Sequence, residues 1–130
     1  MTAREPGTEE SSGLRVLVVE DEVMVALLLE GMIADLGHQV VGLVGRLGKA
    51  LDVASREAID VAILDVNVDG KQVYPVAEAL AARRIPFAFV TGYGREGLCE
   101  SYRANPTLAK PFLEQDLKEL FDEIGRAKPG

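Results

Sequence analysis

Five short apolar runs, separated by segments with helical spacing, constrain the fold of this chain more than any other feature. The runs are LRVLVV, QVVGLV, DVAILD, PFAFVT and PTLA, at residues 14–19, 39–44, 60–65, 86–91 and 106–109. Runs this short and this continuously apolar are typical of parallel strands that helices cover on both faces. The alternation therefore predicts an α/β fold with a doubly wound, five-stranded parallel sheet and five flanking helices.

The segments between and after these runs predict the helices. Four of them have clear apolar spacing, at residues 22–36, 47–57, 73–83 and 113–125. The remaining segment, residues 95–104, contains a glycine, follows Gly92 and Gly94, and ends before Asn105-Pro106. Because a glycine lowers helix stability by about 1 kcal/mol relative to alanine, we expect this fourth helix to be short or weakly formed.

Composition and charge exclude several classes of function. The 130 residues fit one domain, and an apolar content of 48% is sufficient for a single core. A formal net charge of −7 argues against a nucleic-acid surface, which requires clustered lysine and arginine. Residues 1–13, rich in Glu, Ser, Gly and Thr, predict a flexible tail before a domain at residues 14–127. The sequence contains no run of signal-peptide or membrane-spanning type, so we expect a cytoplasmic protein that does not contact membranes.

Charged and hydroxyl side chains stand where the predicted strands end. Glu20 and Asp21 follow the first strand, Asp65 ends the third, Thr91 ends the fourth, and Lys110 follows the fifth. The carboxyl ends of parallel strands lie at one edge of a sheet, so these side chains should meet in one pocket. Two carboxylates about 4 Å apart repel each other by roughly 4 kcal/mol at an effective dielectric near 20, so the pocket needs a cation.

The residue types in this pocket favour Mg²⁺ and a phosphoryl group. A few carboxylates with room for water suit Mg²⁺, whereas Ca²⁺ takes more protein ligands. The stretch DVNVDG fits the first half of an EF-hand calcium loop, but Val76 stands where that loop requires a glutamate. A threonine hydroxyl and a lysine ammonium would bind the oxygens of a phosphoryl group. Asp65 is then the candidate acceptor, and its phosphorylation would form an acyl phosphate.

From about residue 14 to residue 127, the chain resembles the receiver domain of two-component response regulators. The resemblance is carried, in order, by Glu20-Asp21, Asp65, Thr91 and Lys110-Pro111-Phe112. The stretches LDVNVDG and PFAFVTGYG also resemble the alphaproteobacterial subgroup called FATGUY receivers. The resemblance implies a flavodoxin-like receiver fold in which a histidine kinase or a phosphotransfer protein phosphorylates Asp65.

The resemblance also implies a cofactor, Mg²⁺, and the groups that hold it. Asp21 and Asp65 would bind the ion directly, together with the backbone carbonyl of Asn67. Glu20 would hold the ion through a water molecule. The metal site would therefore combine the ends of the first and third strands.

The phosphoryl group would be held by two further residues. By the same resemblance, Thr91 would donate a hydrogen bond to it and Lys110 would pair with it, beside a cis peptide bond to Pro111. The sequence departs from the family at Thr107, where receivers that switch by rotating a ring have an aromatic residue. We hypothesise that Tyr93 and the glycine-rich segment after it form the mobile output surface instead.

Other polar residues near these positions are expected to have structural roles. Glu22 should cap or complement the amino end of the first helix, and Asp69-Gly70 should form the turn into the third helix. His38 follows a helix stop at Gly37 and should lie in a loop. The first helix is apolar around most of its circumference, which fits a well-covered core helix or an exposed patch for a kinase or dimer partner.

The predicted function is that of a single-domain response regulator, which signals through a partner protein or serves as a phosphate sink. Such a protein turns over no free substrate but catalyses its own aspartyl phosphorylation and dephosphorylation, and phosphorylation could drive dimer formation. One alternative is a pseudo-receiver scaffold that is never phosphorylated. Another is a phosphohydrolase of the haloacid-dehalogenase type, disfavoured because Asn67 stands where that class has a second carboxylate.

Overall fold

The computed structural model describes residues 13–127, with side chains to residue 125. Its elements in chain order are β1 (Arg15–Val19), α1 (Val23–Asp35), β2 (Gln39–Val44), α2 (Leu47–Arg56), β3 (Val61–Asp65), β4 (Asn67–Val68), β5 (Lys71–Gln72), α3 (Tyr74–Ala82), β6 (Phe87–Thr91), β7 (Thr107–Ala109) and α4 (Glu114–Ala127). The predicted tail, residues 1–13, lies outside the described residues except for Gly13. No helix in the described part of the chain is long and apolar enough to cross a membrane.

Five strands form one parallel sheet in the order β2-β1-β3-β6-β7. This order confirms the doubly wound α/β fold, because the chain adds β2 on one side of β1 and then crosses to add β3 on the other. The reversal leaves a crevice beyond the carboxyl ends of β1 and β3, where ligands bind in folds of this type.

The side chains of the central strands β1, β3 and β6 alternate between two hydrophobic cores. Leu17 and Val19 of β1 pack with α2 and α3, whereas Val16 and Val18 pack with α1 and α4. All five residues of β3 are buried, and so are all five of β6. The continuous apolar runs therefore reflect coverage of both sheet faces, and polar groups occur only in the last residues of these two strands.

The predicted fourth helix, residues 95–104, is replaced by two short 3-10 helices, Gly94–Gly97 and Glu100–Tyr102. The part of the chain that the structure describes therefore has four α-helices, one fewer than predicted. Gly94, directly before the predicted segment, has a φ of 65°, in the left-handed region that glycine adopts readily. The irregular path is held by Tyr74, whose hydroxyl accepts a hydrogen bond from the backbone N–H of Cys99 at 2.8 Å. The Tyr74 ring also stacks on Tyr102, with 5.2 Å between ring centroids.

The turn predicted at Asp69-Gly70 closes a small hairpin that the sequence reading did not include. Asp69 and Gly70 have φ values of 55° and 75°, and they join the antiparallel strands β4 and β5. Two successive left-handed residues are typical of the tightest hairpin turns, for which Asp-Gly is a preferred pair. The chain thus makes a hairpin between Asp65 and α3 rather than entering the helix directly.

His38 lies in the predicted loop before β2. It contacts Leu14, directly before β1, and Phe121 of α4. Its Nδ1 accepts a hydrogen bond from the backbone N–H of Leu14 at 3.0 Å, and its ring lies 4.7 Å from that of Phe121. Because Nδ1 accepts this bond only when it is unprotonated, the contact requires neutral imidazole. Burial also lowers the pKa of His38 below its usual value.

We predict that His38 makes the domain less stable at mildly acidic pH. A lowered pKa in the folded state means that the stabilisation is complete above the unfolded pKa of about 6.5 and is lost as the pH falls below it. His38→Asn keeps an acceptor that does not titrate. Denaturant unfolding between about pH 7.5 and 5.5 should show the unaltered protein losing stability relative to this variant. A pH-independent difference between the two proteins would contradict the prediction.

Candidate functional site

Three carboxylates meet at the carboxyl ends of β1 and β3. Glu20 and Asp21 directly follow β1, and Asp65 is the last residue of the adjacent strand β3. One carboxylate oxygen from each residue lies within 4.8 Å of the other two. Glu20 and Asp65 are buried, whereas Asp21 is exposed. The structure thus brings together the three acidic residues that the strand ends had suggested.

Lys110 supplies an ammonium group to this cluster. It follows β7, and its peptide bond to Pro111 is cis. Its Nζ lies 3.3 Å from Oε1 of Glu20, 3.4 Å from Oδ2 of Asp65 and only 2.9 Å from Oε1 of Glu22. Burial lowers the pKa of Lys110, but the hydrogen bond to Glu22 and the surrounding negative charges reverse this and raise the pKa above its usual value. The ammonium therefore stays protonated at any physiological pH.

Glu20 is the least exposed of the three carboxylates. Its Oε2 accepts a hydrogen bond from the backbone N–H of Glu22 at 3.0 Å, but its buried Oε1 accepts none from the described residues. Burial raises the pKa of Glu20 to about 7, the charge of Asp65 adds to this rise, and the Glu22 N–H and Lys110 only partly oppose it. A divalent cation would supply the missing charge. The orphaned oxygen and the all-oxygen donor set therefore fit Mg²⁺.

Thr91 connects the neighbouring strand β6 to the loop that follows it. Its buried Oγ1 accepts a hydrogen bond from the backbone N–H of Tyr93 at 3.0 Å, which leaves the hydroxyl proton free to donate. Gly97 packs against this group, since a Cβ at Gly97 would lie 2.8 Å from Thr91 Oγ1 and 2.9 Å from Tyr93 Cβ. Tyr93 is 79% exposed. The hypothesis that Tyr93 replaces the ring missing at Thr107 stays a prediction.

The β4-β5 hairpin also contacts the acidic cluster. Asn67, whose carbonyl is a candidate metal ligand, begins β4 two residues after Asp65. The backbone N–H of Asp69 donates a hydrogen bond to Oδ2 of Asp21 at 2.9 Å. The turn at Asp69 therefore holds the exposed carboxylate in place, a contact that the sequence did not predict.

Glu22 is the residue of the site that the sequence reading missed. It occupies the N-cap position of α1, but its side chain forms no capping hydrogen bond and instead pairs with Lys110. The sequence feature that pointed to Glu22 was its position directly after Glu20-Asp21, at the same edge of the sheet. Its partner lies 88 residues further along the chain, so the pair could not be read from local spacing.

Comparisons with known sequences match most of the chain. The family model described as the response regulator receiver domain matches residues 16–122. The transcriptional regulatory protein PdtaR of Mycobacterium tuberculosis is 32% identical over 107 residues, covering 79% of this chain and 52% of PdtaR. The chain thus spans about half the length of the curated relatives it matches.

Solved structures share the fold. SdrG from Sphingomonas melonis Fr1 is 39% identical, with a TM-score of 0.79 over 86% of this chain and 96% of SdrG. The receiver domain of the sensor histidine kinase PA1611 from Pseudomonas aeruginosa PAO1 is 26% identical, with a TM-score of 0.75 over 87% of this chain and 98% of that domain. In the PA1611 structure a magnesium ion is coordinated in the active-site cleft.

We predict that Gly97→Ala destabilises the loop that packs on Thr91. The added Cβ would lie 2.8 Å from Thr91 Oγ1, so the loop or the hydroxyl must move, and overpacking of this kind costs about 1–3 kcal/mol. Gly92→Ala is the matched control, because a Cβ there meets nothing within 4 Å. Denaturant unfolding measures both free energies, and equal values for the two variants would contradict the close packing.

Proposed function

The chain belongs to the response regulator receiver family, and from this premise we propose that Asp65 accepts a phosphoryl group from the phosphohistidine of a histidine kinase or a phosphotransfer protein. One observation carries the proposal. The buried Asp65 carboxylate lies beside Glu20 and Asp21, with the Lys110 ammonium 3.4 Å away. Phosphoryl transfer to aspartate requires a carboxylate acceptor, further carboxylates for a divalent cation and a fixed positive charge.

In the proposed reaction, a carboxylate oxygen of Asp65 attacks the phosphorus of the donor. An O–P bond forms while the N–P bond breaks, and the electron pair of that bond returns to the imidazole nitrogen of the donor. The product on this chain is an acyl phosphate. Lys110 is suited to pair with the phosphoryl oxygens because it already donates a hydrogen bond to Asp65, and Thr91 keeps a hydroxyl proton to donate. Attack by water later releases inorganic phosphate and restores the carboxylate.

Mg²⁺ is the proposed cofactor of this site. Asp21 and Asp65 would bind it directly, with the backbone carbonyl of Asn67, and Glu20 would hold it through water. When bound, the ion would offset the negative charge of the phosphoryl oxygens. The orphaned Oε1 of Glu20 supports this assignment, as does the magnesium ion in the related PA1611 domain.

The output of this switch is proposed to pass through another protein in the cytoplasm. The chain would signal through that partner, form a phosphorylation-dependent dimer, or act as a sink that drains phosphoryl groups from a kinase. The subgroup suggested by PFAFVTGYG remains a prediction. Membership of the receiver family further disfavours the haloacid-dehalogenase alternative, and the scaffold alternative is separated from the proposal by whether Asp65 is phosphorylated.

The exposed apolar side chains of α1 are the proposed docking surface for the phosphodonor protein. The helix buries Ala26, Leu29 and Ile33 against the sheet. On its other side Met24 is 79% exposed, and so are large parts of Val23, Leu27 and Leu28. This result favours the exposed-patch interpretation of the first helix. The patch begins directly after Glu22, so a donor protein bound to it would lie beside Asp65.

We predict that acetyl phosphate phosphorylates the protein on Asp65 when Mg²⁺ is present. Mass spectrometry should show a gain of one phosphoryl group, which Asp65→Asn abolishes because an amide is a poor nucleophile. Chelation of Mg²⁺ should also prevent the gain. Asp35→Asn removes an exposed carboxylate at the end of α1 and should leave the gain unchanged. If neither acetyl phosphate nor a phosphorylated histidine kinase modifies the unaltered protein, the scaffold alternative holds.

We predict that Met24→Glu slows phosphotransfer from a histidine kinase of the source organism by about tenfold, equivalent to roughly 1.4 kcal/mol of docking free energy. The new charge would have to be desolvated in an apolar contact. The rate of labelling by acetyl phosphate, which needs no docking surface, should stay unchanged in the same variant. Equal kinase-dependent rates for the variant and the unaltered protein would exclude this face as the docking surface.

A further inference from the structure

Lys110 is shared by three carboxylates that differ strongly in exposure. The side chain of Glu22 is 62% exposed, whereas those of Glu20 and Asp65 are 1% and 11% exposed. The shortest contact of Lys110 nevertheless goes to the exposed partner, at 2.9 Å, and the contacts with the buried partners are 3.3 and 3.4 Å. The ammonium is therefore held closest to the carboxylate at the mouth of the pocket.

The hydrogen bonds of Lys110 follow the same division. Lys110 donates hydrogen bonds to Glu22 and Asp65, while Oε1 of Glu20 accepts none although Nζ lies 3.3 Å away. An ammonium has three protons that can turn toward any acceptor within reach. One of these protons points to Glu22, and the 3.3 Å contact with Oε1 of Glu20 lacks the geometry of a hydrogen bond. The deepest of the three carboxylates consequently has an ammonium nearby but keeps one oxygen without a hydrogen bond from the described residues.

Two hydrogen bonds hold the backbone of Glu22 in place, so its side chain extends from a fixed position. Its N–H donates to Oε2 of Glu20 at 3.0 Å, and its carbonyl accepts the N–H of Ala26 in the first turn of α1. The side chain itself makes no capping bond that would compete with Lys110. The carboxylate of Glu22 is thus presented to Lys110 by the same turn that positions Glu20 and Asp21.

We propose that Glu22 is a positioning residue that holds Lys110 at the mouth of the acidic pocket and so keeps the pocket open to a divalent cation. This inference rests on the proposed function, in which Mg²⁺ and a phosphoryl group occupy the site. Without Glu22, the ammonium turns fully toward Glu20 and Asp65 and competes with the ion. An exposed ion pair is also weak, so Lys110 can leave Glu22 when a phosphoryl group on Asp65 offers a stronger charge.

A double-mutant cycle tests the inference with Mg²⁺ alone as the probe. In the otherwise unaltered protein, Glu22→Gln should weaken Mg²⁺ binding about three- to tenfold, as expected for an ammonium moving a few ångströms toward the ion. In a Lys110→Met background the same substitution should change the affinity by no more than about twofold, because no ammonium remains to be released. Equal losses in the two backgrounds would mean that Glu22 acts only as a distant charge, and would overturn the proposal.

A second measurement uses the metal-free protein and separates this inference from the proposed function. The NMR resonances of the Lys110 side chain should move in Glu22→Gln and stay in place in Glu30→Gln, which removes an exposed carboxylate further along α1. Unmoved resonances together with normal Mg²⁺ binding would overturn the role of Glu22 alone. Moved resonances in a protein that binds no Mg²⁺ would support the positioning of Lys110 and contradict the proposed cofactor.

Discussion

Repulsion among carboxylates that the sheet holds together is the constraint on which the site depends. Val19 pairs with Leu64 in the parallel register of β1 and β3, so the residues that follow them cannot separate without breaking the central strand pair. Glu20, Asp21 and Asp65 are therefore held within 4.8 Å of one another. At these distances the repulsion amounts to several kcal/mol even at an effective dielectric near 20, so it is relieved by nearby positive charge or by protonation of Glu20, whose pKa is raised to about 7.

Several groups around the cluster offset part of its negative charge. The N–H of Asp69 fixes Asp21, and the N–H of Glu22 satisfies one oxygen of Glu20. Lys110 brings one positive charge but divides it among three carboxylates. One buried oxygen of Glu20 still accepts no hydrogen bond from the described residues. In the proposed function, Mg²⁺ would supply further positive charge to this cluster.

The strands and most helices could be predicted because their signals are local and repeated. A fully buried strand such as β3 needs only an unbroken apolar run, and the position of Asp65 follows from where that run ends. The parts that escaped prediction depend on contacts between distant residues. The 3-10 path after β6 depends on Tyr74 binding the backbone of Cys99, and the role of Glu22 depends on Lys110 reaching it across the site. The hairpin had a local signal, since Asp-Gly favours such a turn, but its two-residue strands are too short to stand out in the sequence.

The positions of the tyrosines make intrinsic fluorescence a probe of the loop after β6. The chain has no tryptophan and three tyrosines, which are Tyr74, Tyr93 and Tyr102. Tyr74 and Tyr102 are stacked with their rings 6° from parallel, and Tyr93 projects from the same loop into solvent. Every tyrosine emission therefore originates in this loop or in the helix that holds it. A change in the intrinsic fluorescence of the folded chain reports on this one region, without a label and without interference from the rest of the molecule.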